Sequence, residues 1–190
     1  MSKRAFIKFL AAFAAVVGLV AVGSVAPAQA QAQEQKRARV GYTQVVVDPA
    51  VYSLIAGAGI TPAAVGGAKA FAYKGTLAAR FPITGYSLRQ VRIKHSGGIS
   101  LTAGDATISL RRFNIDLGRL KVSGKVAGSI GNVGRVDLFK IRRTDRPGLG
   151  LVKLTLTATA AGALNSTFGV NAFSAGDTFG YASPRPFGRF

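Results

Sequence analysis

The chain has no cysteine, no tryptophan, one methionine and one histidine among 190 residues. Without cysteine there is no disulfide, no thiol nucleophile and no cysteine-based zinc site, so the fold must be held by core packing alone. Acidic residues are scarce as well, seven Asp and Glu against 25 Lys and Arg. The one glutamate is Glu34 and the one histidine is His95, which leaves little for acid–base chemistry. No G-x-S-x-G elbow, H-E-x-x-H, P-loop or EF-hand loop occurs. Asp105 and Asp116 adjoin expected turns, where Asp is ordinary. No catalytic set emerges, and the chain is read as a non-enzyme.

What is present begins with a leader. Lys3, Arg4 and Lys8 precede an apolar stretch from Phe9 to about Gly23, and Pro27 follows. Ala26, Ala28 and Ala30 give overlapping A-x-A sites, so cleavage is expected after Ala28 or Ala30, the pattern of a secretory signal peptide. The apolar run is shorter than the roughly 20 residues that a bilayer span needs, and no cysteine is available for acylation. Residues 1–30 are therefore read as the signal and 31–41 as a polar, flexible lead-in. A single β-rich domain is expected over 42–183 and an extended tail over 184–190. No membrane-spanning segment is expected in the mature chain.

Removing residues 1–30 takes away three basic groups and no acidic one. The mature chain then holds 22 Lys and Arg against 7 Asp and Glu, a net charge of +15. Such an excess attracts anionic partners. Export argues against nucleic acid as the physiological one and leaves acidic glycans, teichoic-type polymers or anionic lipid, or simple solubility.

Thr43 to Val47 is a β-branched run that reads as a strand. Asp48-Pro49 then supplies an N-cap and a proline at the first helical position, starting a short helix through Val51, Leu54 and Ile55 that ends at Gly57 or Gly59. Gly66-Gly67 marks a turn. From Phe71 the period becomes two: Phe71 and Tyr73; Leu77, Ala79 and Phe81; Val91, Ile93 and His95; Ile99 and Leu101. Ile108 and Leu110 alternate in phase, but Phe113, Ile115 and Leu117 fall one position out, so a β-bulge is expected at Arg111-Arg112. Further strands follow at Leu120 to Val126, Val136 to Ile141 and Leu151 to Leu156. A second capped helix starts at Thr157, runs through Ala161 and Leu164, and stops at Gly169. This echo of Val45 to Gly59 reads as a weak internal pseudo-repeat, or as two similar lids closing the ends of one core. The fold class is mainly β: an antiparallel β-sandwich built as a meander, with two short helices, one near each end. An outer-membrane barrel is set aside, because few runs reach the ~9–11 residues that barrel strands need and Pro184 and Pro186 interrupt a last strand.

By parity His95 shares the apolar face with Val91 and Ile93. A satisfied core residue, a strand end at the rim and an iron ligand are all open to it. Gly97-Gly98 after it could cradle an anion or make a hairpin turn.

The segment Val91-Arg92-Ile93-Lys94-His95-Ser96-Gly97-Gly98-Ile99-Ser100-Leu101 resembles the strand-His-small-Gly-strand segment of the haem-transport-associated (HtaA-type) domain of secreted bacterial proteins. Ala79-Arg80-Phe81-Pro82-Ile83-Thr84-Gly85 is similar to its F-x-F-P segment, and Arg135 to Lys140 to its late strand. Leu154-Thr155-Leu156-Thr157, then Ala160, Ala161 and Leu164, and Ala175-Gly176-Asp177 resemble its closing stretch. The order agrees from about Thr43 to Ala182. The resemblance implies a secreted or cell-surface β-sandwich that in some members binds haem, through an N-terminal tyrosine and the mid-chain histidine. His95 matches the histidine, and the tyrosine aligns with Tyr52 or, two residues on, with Leu54.

Two functions follow as expectations. The first is an exported, non-catalytic binding module with haem as its possible cofactor, at His95 and Tyr52. The alternative is a structural or adhesive envelope protein held electrostatically, without a covalent link, to anionic wall polymers.

Overall fold

The computed structural model describes residues 41–190. The leader expected at 1–30, and the lead-in apart from its last residue, lie outside the described residues. In chain order the elements are β1 (Tyr42–Val47), α1 (Pro49–Gly57), β2 (Thr61–Val65), β3 (Lys69–Tyr73), β4 (Thr76–Ser87), β5 (Arg92–His95) and β6 (Gly98–Ala103). They continue as β7 (Ala106–Asp116), β8 (Lys121–Gly128), β9 (Gly131–Arg143), β10 (Val152–Leu156), α2 (Ala158–Phe168) and β11 (Thr178–Arg185).

Every strand pairing among the described residues is antiparallel, and the sheet closes on itself. Following hydrogen-bonded neighbours from β7 leads through β5, β4, β1, β11, β10, β9 and β8 and back to β7. The expected two-layer sandwich is thus corrected to an eight-stranded barrel, with β2, β6 and β3 as extra strands on its wall. Alternating apolar residues look the same in both architectures. What separates them is whether first and last strands meet. Irregularities favour the meeting: register shifts on β4 at Ile83/Gly85, on β7 at Arg111/Asn114 and on β8 at Val126/Ala127 each bend the sheet, as bulges do.

The bulge expected at Arg111-Arg112 is there. Arg112 takes φ +52°, and its amide donates to the Gly97 carbonyl at 2.9 Å. The two helices also follow their start and stop signals. Asp48 caps the Ala50 amide at 2.9 Å, Thr157 caps that of Ala160 at 3.1 Å, and Gly59 and Gly169 take left-handed φ of +67° and +63°. Their placement corrects the expectation of one lid at each end. Val47 pairs with Gly180 and Thr155 with Thr178, so β1 and β10 finish at the same rim. Both helices leave from that rim, here called the lid.

Inward residues such as Phe81, Phe113, Ile115, Val122, Phe139 and Leu154 form the core. Outward positions on the same strands carry Arg111, Lys125 and Lys140, all exposed. That polarity is the inverse of a membrane-spanning barrel, which is apolar outside. Among the described residues no helix is long and apolar enough to cross a membrane. Outside β11, the segment after Arg143 folds back along the wall. Asp145 accepts from the Tyr181 hydroxyl at 3.0 Å, and Arg146 lies 3.6 Å from Asp48. Burial and that acceptor push the Tyr181 phenol up to about 12.

Candidate functional site

His95 ends β5, at the point where the wall changes strands. β5 pairs with residues 114–116 of β7, and β6 with residues 106–111 of the same strand. Ser96 and Gly97 therefore step the chain from one partner to the next along β7, facing the bulge at Arg112. Gly97 takes φ +71°, and a Cβ on Gly98 would run into the Leu110 carbonyl and the Arg111 backbone. The glycine pair is neither an anion cradle nor a hairpin turn. It is the inter-strand step that aims the preceding side chain into the barrel.

Inside, the His95 imidazole is 5% exposed and both its nitrogens are engaged. Nδ1 lies 3.1 Å from the Phe113 carbonyl oxygen, which can only accept, so Nδ1 carries the hydrogen. Nε2 then accepts from the Thr43 hydroxyl at 2.7 Å. The ring is a neutral crossbar from β1 to β7. Burial pushes its pKa down to about 4, and the Phe113 hydrogen bond opposes that shift more weakly. In this structure the imidazole is a satisfied residue of the core, its Nε2 lone pair taken up by the Thr43 hydroxyl and its Nδ1 hydrogen by the Phe113 carbonyl.

Tyr52 is half-buried on α1 and lines the same cavity as His95, together with Thr43, Phe81, Phe113 and Ile115. The cavity is about 70 Å³ and its lining is largely apolar, room for on the order of five waters. The two expected site residues thus line one cavity. Thr43, which holds His95, and Val47, which leads into α1, are four residues apart on β1, about 13 Å of strand. Leu54, the other position at which the family's tyrosine could align, packs half-buried against the core.

The remaining tyrosines of the fold lie elsewhere. Tyr42 carries the Arg80 guanidinium 4.7 Å from its ring centroid on the outer wall. Tyr73 stands edge-on to Phe71, Tyr86 donates to the Pro186 carbonyl at 3.4 Å, and Tyr181 faces Asp145. Sequence reasoning missed Thr43. Its one signal was a hydroxyl at an inward position of an otherwise aliphatic strand, in phase with Val45 and Val47.

Fold and cavity together define an antiparallel eight-stranded barrel with an apolar well under a helical lid, a size that can hold one small ligand. No protein-family model matches the chain, and no curated protein matches it. Among solved structures it is similar to the heme-binding protein HtaB from Corynebacterium glutamicum, with TM-score 0.53 and 12% identity over 74% of this chain and 88% of that one. It is also similar to the C-terminal domain of HtaA from the same organism, with TM-score 0.51 and 13% identity over 74% and 92%. At such identities the likeness is one of fold. The chain has the fold of the HtaA-type domain, as its motifs implied.

Proposed function

We propose that this chain is an exported, non-catalytic binding module whose ligand is haem, taken at the lid end with Tyr52 as the iron-ligating group. The observation that carries the reading is Tyr52 on a lid helix above an apolar well, in a fold shared with the heme-binding protein HtaB. The donor chemistry fits, since axial tyrosinate ligation of ferric haem has precedent. The basic surface suits the propionates. A tetrapyrrole exceeds the cavity of about 70 Å³, so in this reading the well widens on binding. His95 in this reading supports the well from below and does not touch the iron.

Titration of the processed protein with hemin tests this. The expected result is a saturable, shifted Soret band that Tyr52→Phe abolishes and that a folded His95→Gln protein retains. No Soret shift, or an unchanged spectrum in Tyr52→Phe, would overturn the assignment.

One further observation favours the electrostatic alternative. Arg111 pairs with Lys125 on β8, and Lys125 with Arg135 on β9, placing three exposed cations in a row across neighbouring strands. Like charges directly opposite destabilise a sheet, and an anionic polymer laid across the row would relieve that repulsion. Retention on cell-wall sacculi should then fall in about 1 M salt, where screening lengths shrink to about 3 Å, and in Lys125→Glu. Salt-insensitive retention would remove this reading.

A further inference from the structure

The rim opposite the helices carries apolar side chains that the core does not use. Leu88 is 91% and Phe187 94% exposed, with Leu120 at 52% and Val91 at 50%. They sit on three neighbouring turns: 88–91 between β4 and β5, 117–120 between β7 and β8, and the turn after β11. The turns are tied together, the Leu117 amide donating to the Val91 carbonyl at 3.0 Å and the Tyr86 hydroxyl to that of Pro186.

Two of these residues also hold backbone that suits glycine. Val91 has φ +49° and Leu120 φ +51°, left-handed conformations in which a leucine is uncommon and a β-branched valine an outlier. Strained, exposed and apolar is a combination that packing does not explain, and such strain gathers where a surface is used.

The same turns are cationic. Arg89 follows Leu88, Arg119 precedes Leu120, and Arg185 and Arg189 flank Phe187, all exposed. The carboxylate on these turns, Asp116, is already bound by Arg92 at 2.8 Å and by the Arg119 amide at 2.9 Å. Both hydrogen bonds hold its carboxyl below the usual carboxylate range. Single apolar tips set among guanidinium groups that pair with no carboxylate of the described residues match the interface of an anionic bilayer, where apolar side chains enter the headgroup boundary and basic ones meet phosphate. A protein partner would ask for a flatter, continuous face of roughly 800 Å² per side, which separate tips do not make.

We infer that this rim docks the barrel onto an anionic lipid surface, leaving the helical lid and Tyr52 pointing away from the bilayer. Co-sedimentation with phosphatidylcholine vesicles, with and without phosphatidylglycerol, tests it on the processed protein. Binding is expected to the phosphatidylglycerol vesicles only. It should fall roughly tenfold in Leu88→Ser/Phe187→Ser and again in Arg89→Gln/Arg119→Gln/Arg189→Gln. The side chains replaced are exposed, so both variants should keep the unfolding midpoint. Three outcomes would overturn the inference: no binding to phosphatidylglycerol vesicles, equal binding to both kinds, or wild-type binding by Leu88→Ser/Phe187→Ser. Vesicles left unbound while a protein partner is lost in that variant would overturn it too, and reassign the tips to protein docking.

Discussion

At one rim of the barrel, β1 and β10 run into capped helices; at the other, β4 and β7 turn back through four residues each. The lid rim obeys local rules: an Asp or Thr at each N-cap, a left-handed glycine after each helix. The turn rim breaks them, with valine and leucine at positive φ and apolar side chains in water. His95 and Tyr52 divide along the same line. The histidine is locked in the well by two side-chain hydrogen bonds, whereas the tyrosine sits on a helix tied down at its N-cap, where the Asp48 amide donates to the Phe179 carbonyl and Arg146 lies 3.6 Å from the carboxylate. Local rules are followed where the element must form by itself, and they fail where neighbouring strands impose the conformation.

That contrast can be broken most forcefully at His95. Replacing it with alanine strands the Thr43 hydroxyl and the Phe113 carbonyl without partners and opens a void, at a cost of about 3–5 kcal/mol. Tyr52→Phe should cost no more than about 0.5 kcal/mol. Urea unfolding of both proteins would measure the difference, and equal losses would show that the two residues are held alike.

Acid should reproduce a smaller version of the same effect. The folded imidazole titrates at about 4 against 6.5 unperturbed, so between those values the unfolded chain binds the extra proton. The contribution is complete above pH 6.5, is lost as pH falls towards 4, and stays lost below. The integrated loss is at most about 3 kcal/mol. A pH series of unfolding midpoints should show this slope in the native protein and lack it in His95→Gln. A slope that survives in His95→Gln would place the titrating group elsewhere.

The smallest effect belongs to the turn rim. Val91→Gly releases a left-handed valine and should stabilise the barrel by about 1 kcal/mol, a rise of a few degrees in Tm. A drop would mean that the valine side chain stabilises the turn by more than its backbone strain costs.

Much of the wall was legible before any coordinates. The phase slip between Leu110 and Phe113 located a bulge to the residue, and Asp48-Pro49 and Thr157 located both helices. Each of these signals is settled within a few residues of itself. His95 could be placed on the inward face by parity, but not its partners, because Thr43 and Phe113 lie 52 and 18 residues away and nothing local to a strand names its neighbour. The sharing of one cavity by Tyr52 and His95 was expected only from resemblance.

The order of residues alone determined the period-two stretches, the caps, the bulge and the cationic excess, since each depends on backbone preference or charge within a short span. Only the tertiary structure decided that the sheet closes into a barrel, that both helices share one rim, and that the lone imidazole is used up by a hydroxyl and a carbonyl. Those outcomes depend on which distant strands meet, and the same alternation of apolar and polar side chains is compatible with several ways of meeting.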